Sequence, residues 1–220
     1  PLGRRRYANI DVVSLVTDNN NLFDPDSGIY VQGDSAVYSK KKANYFKRGK
    51  AWERYAHVTF FDTLGNVGFE QNVGIRIHGG KGRRSPQKSI RLCADNEYGA
   101  PAINYPLFNM RKHTVFKTVV LRNSQTCWDR SIVKDECTAE ICKNLNFDVL
   151  AARPVIVFIN GEFWGIHAIR EYFDEDYIAA NHHVKKEEVN IISNGYGNKP
   201  KADKNWGCLL YTSDAADEED

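Results

Sequence analysis

Asn160-Gly161 stands between two apolar runs, Arg153–Ile159 (RPVIVFI) and Phe163–Ile169 (FWGIHAI), and no other short stretch of the chain limits its folding so strongly. A type I′ turn needs positive φ at both central residues, which Asn and Gly tolerate, and its twist suits two antiparallel strands. A chain holding this hairpin has to supply a sheet around it. The β-branched and aromatic content supplies the other strands: Val12–Val16, Ile29–Gly33, Tyr55–Asp62, Val67–Gln71, Gly74–His78, Lys88–Leu92, Thr114–Leu121 and Val189–Ser193. Thr63–Asn66 reads as the turn that joins the third of these to the fourth. Two segments differ. In Asp129–Leu145 the apolar residues Val133, Cys137, Ile141 and Leu145 recur every four positions, which predicts a helix buried along that stripe. Tyr172–His183 reads as the start of another helix. The expected fold class is α+β, an antiparallel sheet with one main packed helix.

The stretch Gly74–Leu92, GIRIHGGKGRRSPQKSIRL, carries the clearest chemical signal. Its loop of Gly79, Gly80, Lys81, Gly82, Arg83 and Arg84 joins free backbone N–H groups to positive charge, a combination suited to phosphate. A solvated basic hairpin loop has the same composition. It is not a Walker A loop, because Gly80 takes the Lys position and no Ser or Thr follows Lys81. By the two-residue period Lys88 shares a face with Ile90 and Leu92, while Ser89 and Arg91 point the other way. A lysine on an apolar face needs an anionic partner, or it snorkels to water. Glu140 lies about 20° around the helical wheel from Val133, at the edge of the apolar stripe, with Glu136 as the second candidate acid. Both acids are equally consistent with an ordinary solvated helix face.

Composition narrows the function classes. The chain has 220 residues, is 42% hydrophobic, and contains no apolar run near the ~20 residues that span a bilayer. Its formal charge is +2, but the last thirteen residues hold five acids and no bases, so residues 1–207 carry +7. The string CLLYTSDAADE, Cys208–Glu218, resembles a translated sequencing-library adapter, so the natural sequence is expected to stop near Trp206 or Gly207. A basic body suits phosphorylated ligands or acidic partners; no nucleic-acid-binding pattern is present. The cysteines show no CxxC spacing and the six histidines no HExxH, which leaves zinc sites and metallohydrolase chemistry without support. His78 and His167 read as hydrogen-bonded sheet histidines. The Asn/Asp-rich run Asp18–Gly28 lacks the ligand order of a calcium loop and reads as a turn.

GIRIHGG, PQKSIRL, LRNS, RPVIVFINGEFWGIHAIRE and the flanking IYVQGD and WER together resemble the CotH (spore coat protein H) family, over roughly Leu15–Ile192. The resemblance implies an atypical protein kinase, secreted, cell-surface or spore-coat associated, that uses ATP and Mg²⁺ and phosphorylates proteins rich in Ser and Thr. It implies the small lobe of a kinase-like fold over residues 55–171, a packed leader over 1–54, the start of a large lobe over 172–207, and the adapter-like tail over 208–220. A sheet lysine fixed by a helix glutamate holds nucleotide phosphates in such enzymes, and Lys88 and Glu140 fit those roles in type and order. Gly79, Gly80, Arg83, Arg84, Arg91 and Glu171 complete the expected nucleotide-binding set. The metal-binding and catalytic aspartates are expected beyond Trp206, which would leave this fragment inactive. A non-catalytic surface binding or adhesion module with the same fold is the alternative.

Overall fold

The structure, a computed structural model, describes residues 9–34, 43–124, 131, 133–189 and 191. The chain divides into two compact units, one ending at Tyr172 and the other beginning at Phe173. Among the described residues of the first unit, nine strands form in chain order. They are β1 (Asp11–Val16), β2 (Arg54–Phe61), β3 (Val67–Ile77), β4 (Ile90–Cys93), β5 (Ile103–Asn104), β6 (Val115–Phe116), β7 (Thr118–Arg122), β8 (Ala152–Ile159) and β9 (Glu162–Glu171).

Seven of them close into a barrel in the order β1-β2-β3-β4-β7-β9-β8, and β5 pairs only with β6. Every barrel pairing is antiparallel except the one that closes it: β1 runs parallel to β8, from Asp11 opposite Val155 to Leu15 opposite Ile159. The predicted hairpin forms, with Asn160 at φ 52° and Gly161 at φ 84°. Its turn is also tied to the end of β1. Thr17 N–H donates to Asn160 Oδ1 at 2.9 Å, and Asn160 N–H donates to Leu15 O at 2.8 Å. One turn therefore ends a hairpin and anchors the seam.

Alternation along the strands fills the interior. Val13 and Leu15, Ala56, Val58 and Phe60, Val73, Ile75 and Ile77, Ile90 and Leu92, Val119 and Leu121, Val155 and Val157, and Ile169 belong to one buried cluster. Phe60 and Phe69 stack within it, centroids 5.5 Å apart, and Tyr105 lies 5.3 Å from Phe60. Of the leader, Tyr45 and Trp52 pack on this core as anchors.

The architecture differs from the expected α+β small lobe with one packed helix. It is a closed β-barrel with little helix. The helix in question, α2 (Lys134–Cys142; α1 being the short Asn19–Phe23), contributes no buried residue, and Val133, Ile141 and Leu145 of its apolar stripe are exposed. The barrel has already satisfied its own interior, so that stripe is not needed to cover a sheet face. The two runs expected as separate strands over 67–71 and 74–78 are the single eleven-residue β3, and Ile29–Gly33 forms no strand. The second unit contains α3 (Glu175–His182), whose N-terminus is capped by Asp174 accepting from Tyr177 N–H at 2.9 Å. The last predicted strand, Val189–Ser193, lies mostly outside the described residues. No helix among the described residues is long and apolar enough to cross a membrane.

Candidate functional site

The PQKS segment enters β4 as a packed plug. Gln87 Nε2 donates to the carbonyls of Trp164 and Ile166, each at 3.2 Å. It reaches them because Gly165, at φ 112°, has no side chain; a Cβ there would collide with the Gln87 amide. Ser89 Oγ donates to Asn123 Oδ1 at 2.8 Å, and Asn123 Nδ2 donates to Gln87 O. His167 Nε2 lies 3.4 Å from Lys88 O, and burial lowers its pKa to about 4, so it is a neutral structural imidazole, as expected.

Lys88 follows Ile90 and Leu92 into the buried side and is only 5% exposed. Its ammonium donates to Ser85 O at 2.7 Å and lies 4.9 Å from the Tyr30 ring centroid and 4.7 Å from that of Tyr45. Among the described residues it has no carboxylate partner. Burial lowers its pKa from 10.5 to about 8. Glu140 is exposed and pairs with Lys143, so the structure does not bring Lys88 and Glu140 together.

The basic glycine loop is likewise turned partly inward. Arg83 is buried and donates to Gly79 O at 2.6 Å, to Tyr45 O at 2.9 Å and to Lys47 O at 3.1 Å. It therefore staples the leader to the loop at Gly79, which has φ 103°. Gly80 precedes a single 3-10 turn over Lys81–Arg84, and Lys81 and Arg84 face solvent. Glu171, 2% exposed, accepts from Arg111 Nε at 2.8 Å, Arg111 Nη2 at 2.6 Å and Ala151 N–H at 2.7 Å. That bidentate clasp fixes the end of β9.

The cations that share a face lie on the strands. Arg76 opposes Arg91, Arg91 opposes Val120, and Val120 opposes Arg170. Arg122, two residues after Val120, joins the same face. Four arginines thus cover the outer side of β3, β4, β7 and β9. Burial, then the charges of Arg91, Arg170, Arg83 and Arg122, lowers the pKa of His78 to about 3, so its Nδ1 accepts from Arg91 Nη2 at 3.3 Å. Arg91 also stacks on Tyr172, 3.6 Å from the ring centroid. From α2, Asp135 pairs with Arg122, and the half-buried Glu136 has no side-chain hydrogen-bond partner among the described residues. Burial, then Asp135, raises its pKa against the opposing pull of Arg122 and Arg170. The Nε atoms of Arg122 and Arg170 are buried without hydrogen-bond partners among the described residues. A cavity of about 400 Å³ opens beside this group, walled by Glu136, Arg170, Phe147 and Leu150 among others.

Sequence reasoning named Arg91 of this face and Glu136 as its second acid, but passed over Arg76, Arg122 and Arg170. Their common signal is an arginine beside aliphatic residues in an otherwise apolar strand: IRI, IRL, VLR and AIR.

No curated protein matches the chain. The CotH kinase protein family matches residues 75–218, a span that includes β4, β7, β8, β9, α2 and all four arginines. The chain belongs to the CotH kinase family.

Proposed function

We propose that the chain carries the phosphate-binding sheet of an ATP-dependent protein kinase of the CotH type, which phosphorylates Ser or Thr hydroxyls of proteins. One observation supports this reading above the rest. Two strand arginines, Arg122 and Arg170, stand on one face with buried Nε atoms that have no hydrogen-bond partner among the described residues, opposite the α2 carboxylates of Asp135 and Glu136. Phosphoryl transfer depends on positioning and on neutralising charge over the phosphate oxygens. A cation on a sheet, oriented by an acid from a helix, does both, and arginine stays charged in any surroundings. Here Asp135 orients Arg122, and Glu136 adds a second carboxylate beside Arg170. Arg122 and Arg170 fit the phosphates of ATP, which supplies the transferable group when bound. Among the described residues no three His, Cys, Asp or Glu side chains gather as a metal site.

The test is calorimetric titration of the full chain with ATP and Mg²⁺. Each charge-assisted contact is worth about 1.5–3 kcal/mol, so Arg122→Ala is expected to weaken binding about tenfold or more. Lys88→Met is expected to leave it nearly unchanged. The reverse pattern would return the phosphate role to Lys88. No binding by a well-folded chain would favour the non-catalytic surface module.

A further inference from the structure

A second, smaller cavity lies on the β3 and β4 side of the arginine face. It holds about 100 Å³ and is lined by Lys47, Arg48, Gly49, Arg76, Ile77, Arg83 and Arg91. Five of its seven wall residues are cations and none is an acid. Like charges held this close repel, and the repulsion is visible: burial, then Arg48, Arg91 and Arg76, lower the Arg83 pKa to about 10. Only Arg76 has a carboxylate partner among the described residues, with its Nε 2.9 Å from Glu53 Oε2. Glu53 is itself shared with Lys50 at 2.7 Å and with the Tyr98 hydroxyl at 2.8 Å. Arg48 donates to Gly79 O at 3.0 Å, Lys47 lies 4.1 Å from the Trp52 ring centroid, and Arg91 is held by His78 and Tyr172. Carbonyls and ring faces orient these side chains without neutralising them.

The volume restricts the occupant. At about 30 Å³ per water the cavity has room for roughly three waters, or one tetrahedral oxyanion. It is well below the ~300 Å³ at which pockets for nucleoside-sized ligands begin. Arginine clusters of this kind recognise phosphate through paired, charge-assisted hydrogen bonds.

We propose that this pocket is a phosphate site separate from the nucleotide face, taking one phosphate dianion, either free or at the end of a phosphorylated Ser or Thr side chain. The inference does not rest on the kinase reading, because neither Arg122 nor Arg170 lines the pocket. Because leader residues Lys47–Gly49 line the pocket with Arg83, Arg76 and Arg91, such a ligand would join leader, glycine loop and sheet through one anion.

The experiment is calorimetry on the full chain with three titrants: inorganic phosphate, a phosphoserine peptide and the same peptide unphosphorylated. Inorganic phosphate is expected to bind. The phosphopeptide binding more tightly than phosphate, with its unmodified twin silent, would identify a phosphorylated side chain as the source; phosphate alone binding would identify the free ion. Arg48→Gln, at an exposed position, is expected to weaken phosphate about tenfold while leaving ATP binding intact, and Arg48→Lys to restore part of it. Lys47→Gln is the second variant, read the same way. Phosphate binding that is absent, or unchanged in both glutamine variants, would overturn the proposal. Loss of ATP binding with phosphate binding retained would remove the nucleotide reading and leave this one standing.

Discussion

Replacing Lys88 with methionine should stabilise the protein at neutral pH, and by less as the pH rises. Lys88 is folded with a pKa near 8 instead of 10.5 because burial disfavours its charged form. At about 1.4 kcal/mol per pH unit, holding the ammonium in that site costs about 3 kcal/mol at pH 7. The faces of Tyr30 and Tyr45 offset up to about 1 kcal/mol each, leaving a net penalty on the order of 1–2 kcal/mol. Methionine has a similar reach and packs well against the same two rings, so Lys88→Met removes the penalty without opening a cavity. The folded pKa lies below the unfolded one, so the penalty is complete below pH 8 and fades as the pH climbs from 8 to 10.5. Urea denaturation followed by fluorescence of the four tryptophans, at pH 7 and pH 10, reads this directly. The variant's advantage should be largest at pH 7 and nearly gone at pH 10. A variant less stable than the wild type at pH 7, or a difference independent of pH, would refute the reasoning.

Two further substitutions test the frame around the site. Glu171→Ala removes the carboxylate that holds Arg111, whose side chain is 14% exposed, and Ala151 N–H, and should cost about 3 kcal/mol in urea denaturation; a loss under about 1 kcal/mol would mean that water replaces the carboxylate. Asn160→Ala loses the acceptor for Thr17 N–H and the bond from its Nδ2 to Asn19 Oδ1 at 2.8 Å, at a residue with φ 52°. A stability loss of about 1–2 kcal/mol is expected by thermal melting, with β1 amides exchanging faster than those of β3. Equal acceleration in both strands would show that Asn160 does not hold the seam.

Much of the sheet was legible because each strand announces itself locally. Asn160-Gly161 and the alternation of Val119, Leu121, Ile90 and Leu92 carry their structure within a few residues, and the inward turn of Lys88 follows from the same period. Barrel closure was not legible, since no local feature of VVSLV tells it to lie parallel to VIVFI far along the chain. The helix was misread for a related reason. Val133, Cys137, Ile141 and Leu145 have the period of a buried stripe, but whether a stripe is buried depends on whether a sheet still needs covering, and a closed barrel does not. The acid–cation pairing was legible in kind only. Strand parity places Arg91, Arg122 and Arg170 on one face, but joining that face to Asp135 and Glu136 instead of Glu140 takes the register between β4, β7 and β9.

The seam between β1 and β8 also sets a schedule for synthesis. Thr17 and Asn160, which meet there, are 143 residues apart. A ribosome adding about 5–20 residues per second makes the first end of that seam roughly 7 to 30 s before the second. Once β2 has been made, β1 has it on one side and nothing on the other, so an apolar strand waits with its hydrogen-bonding edge open. Such long-range pairing places this barrel among slow-folding topologies. Chains stopped before Ala152 would keep the open edge permanently, and nascent chains of this protein are expected to be a client for chaperones that bind extended apolar segments.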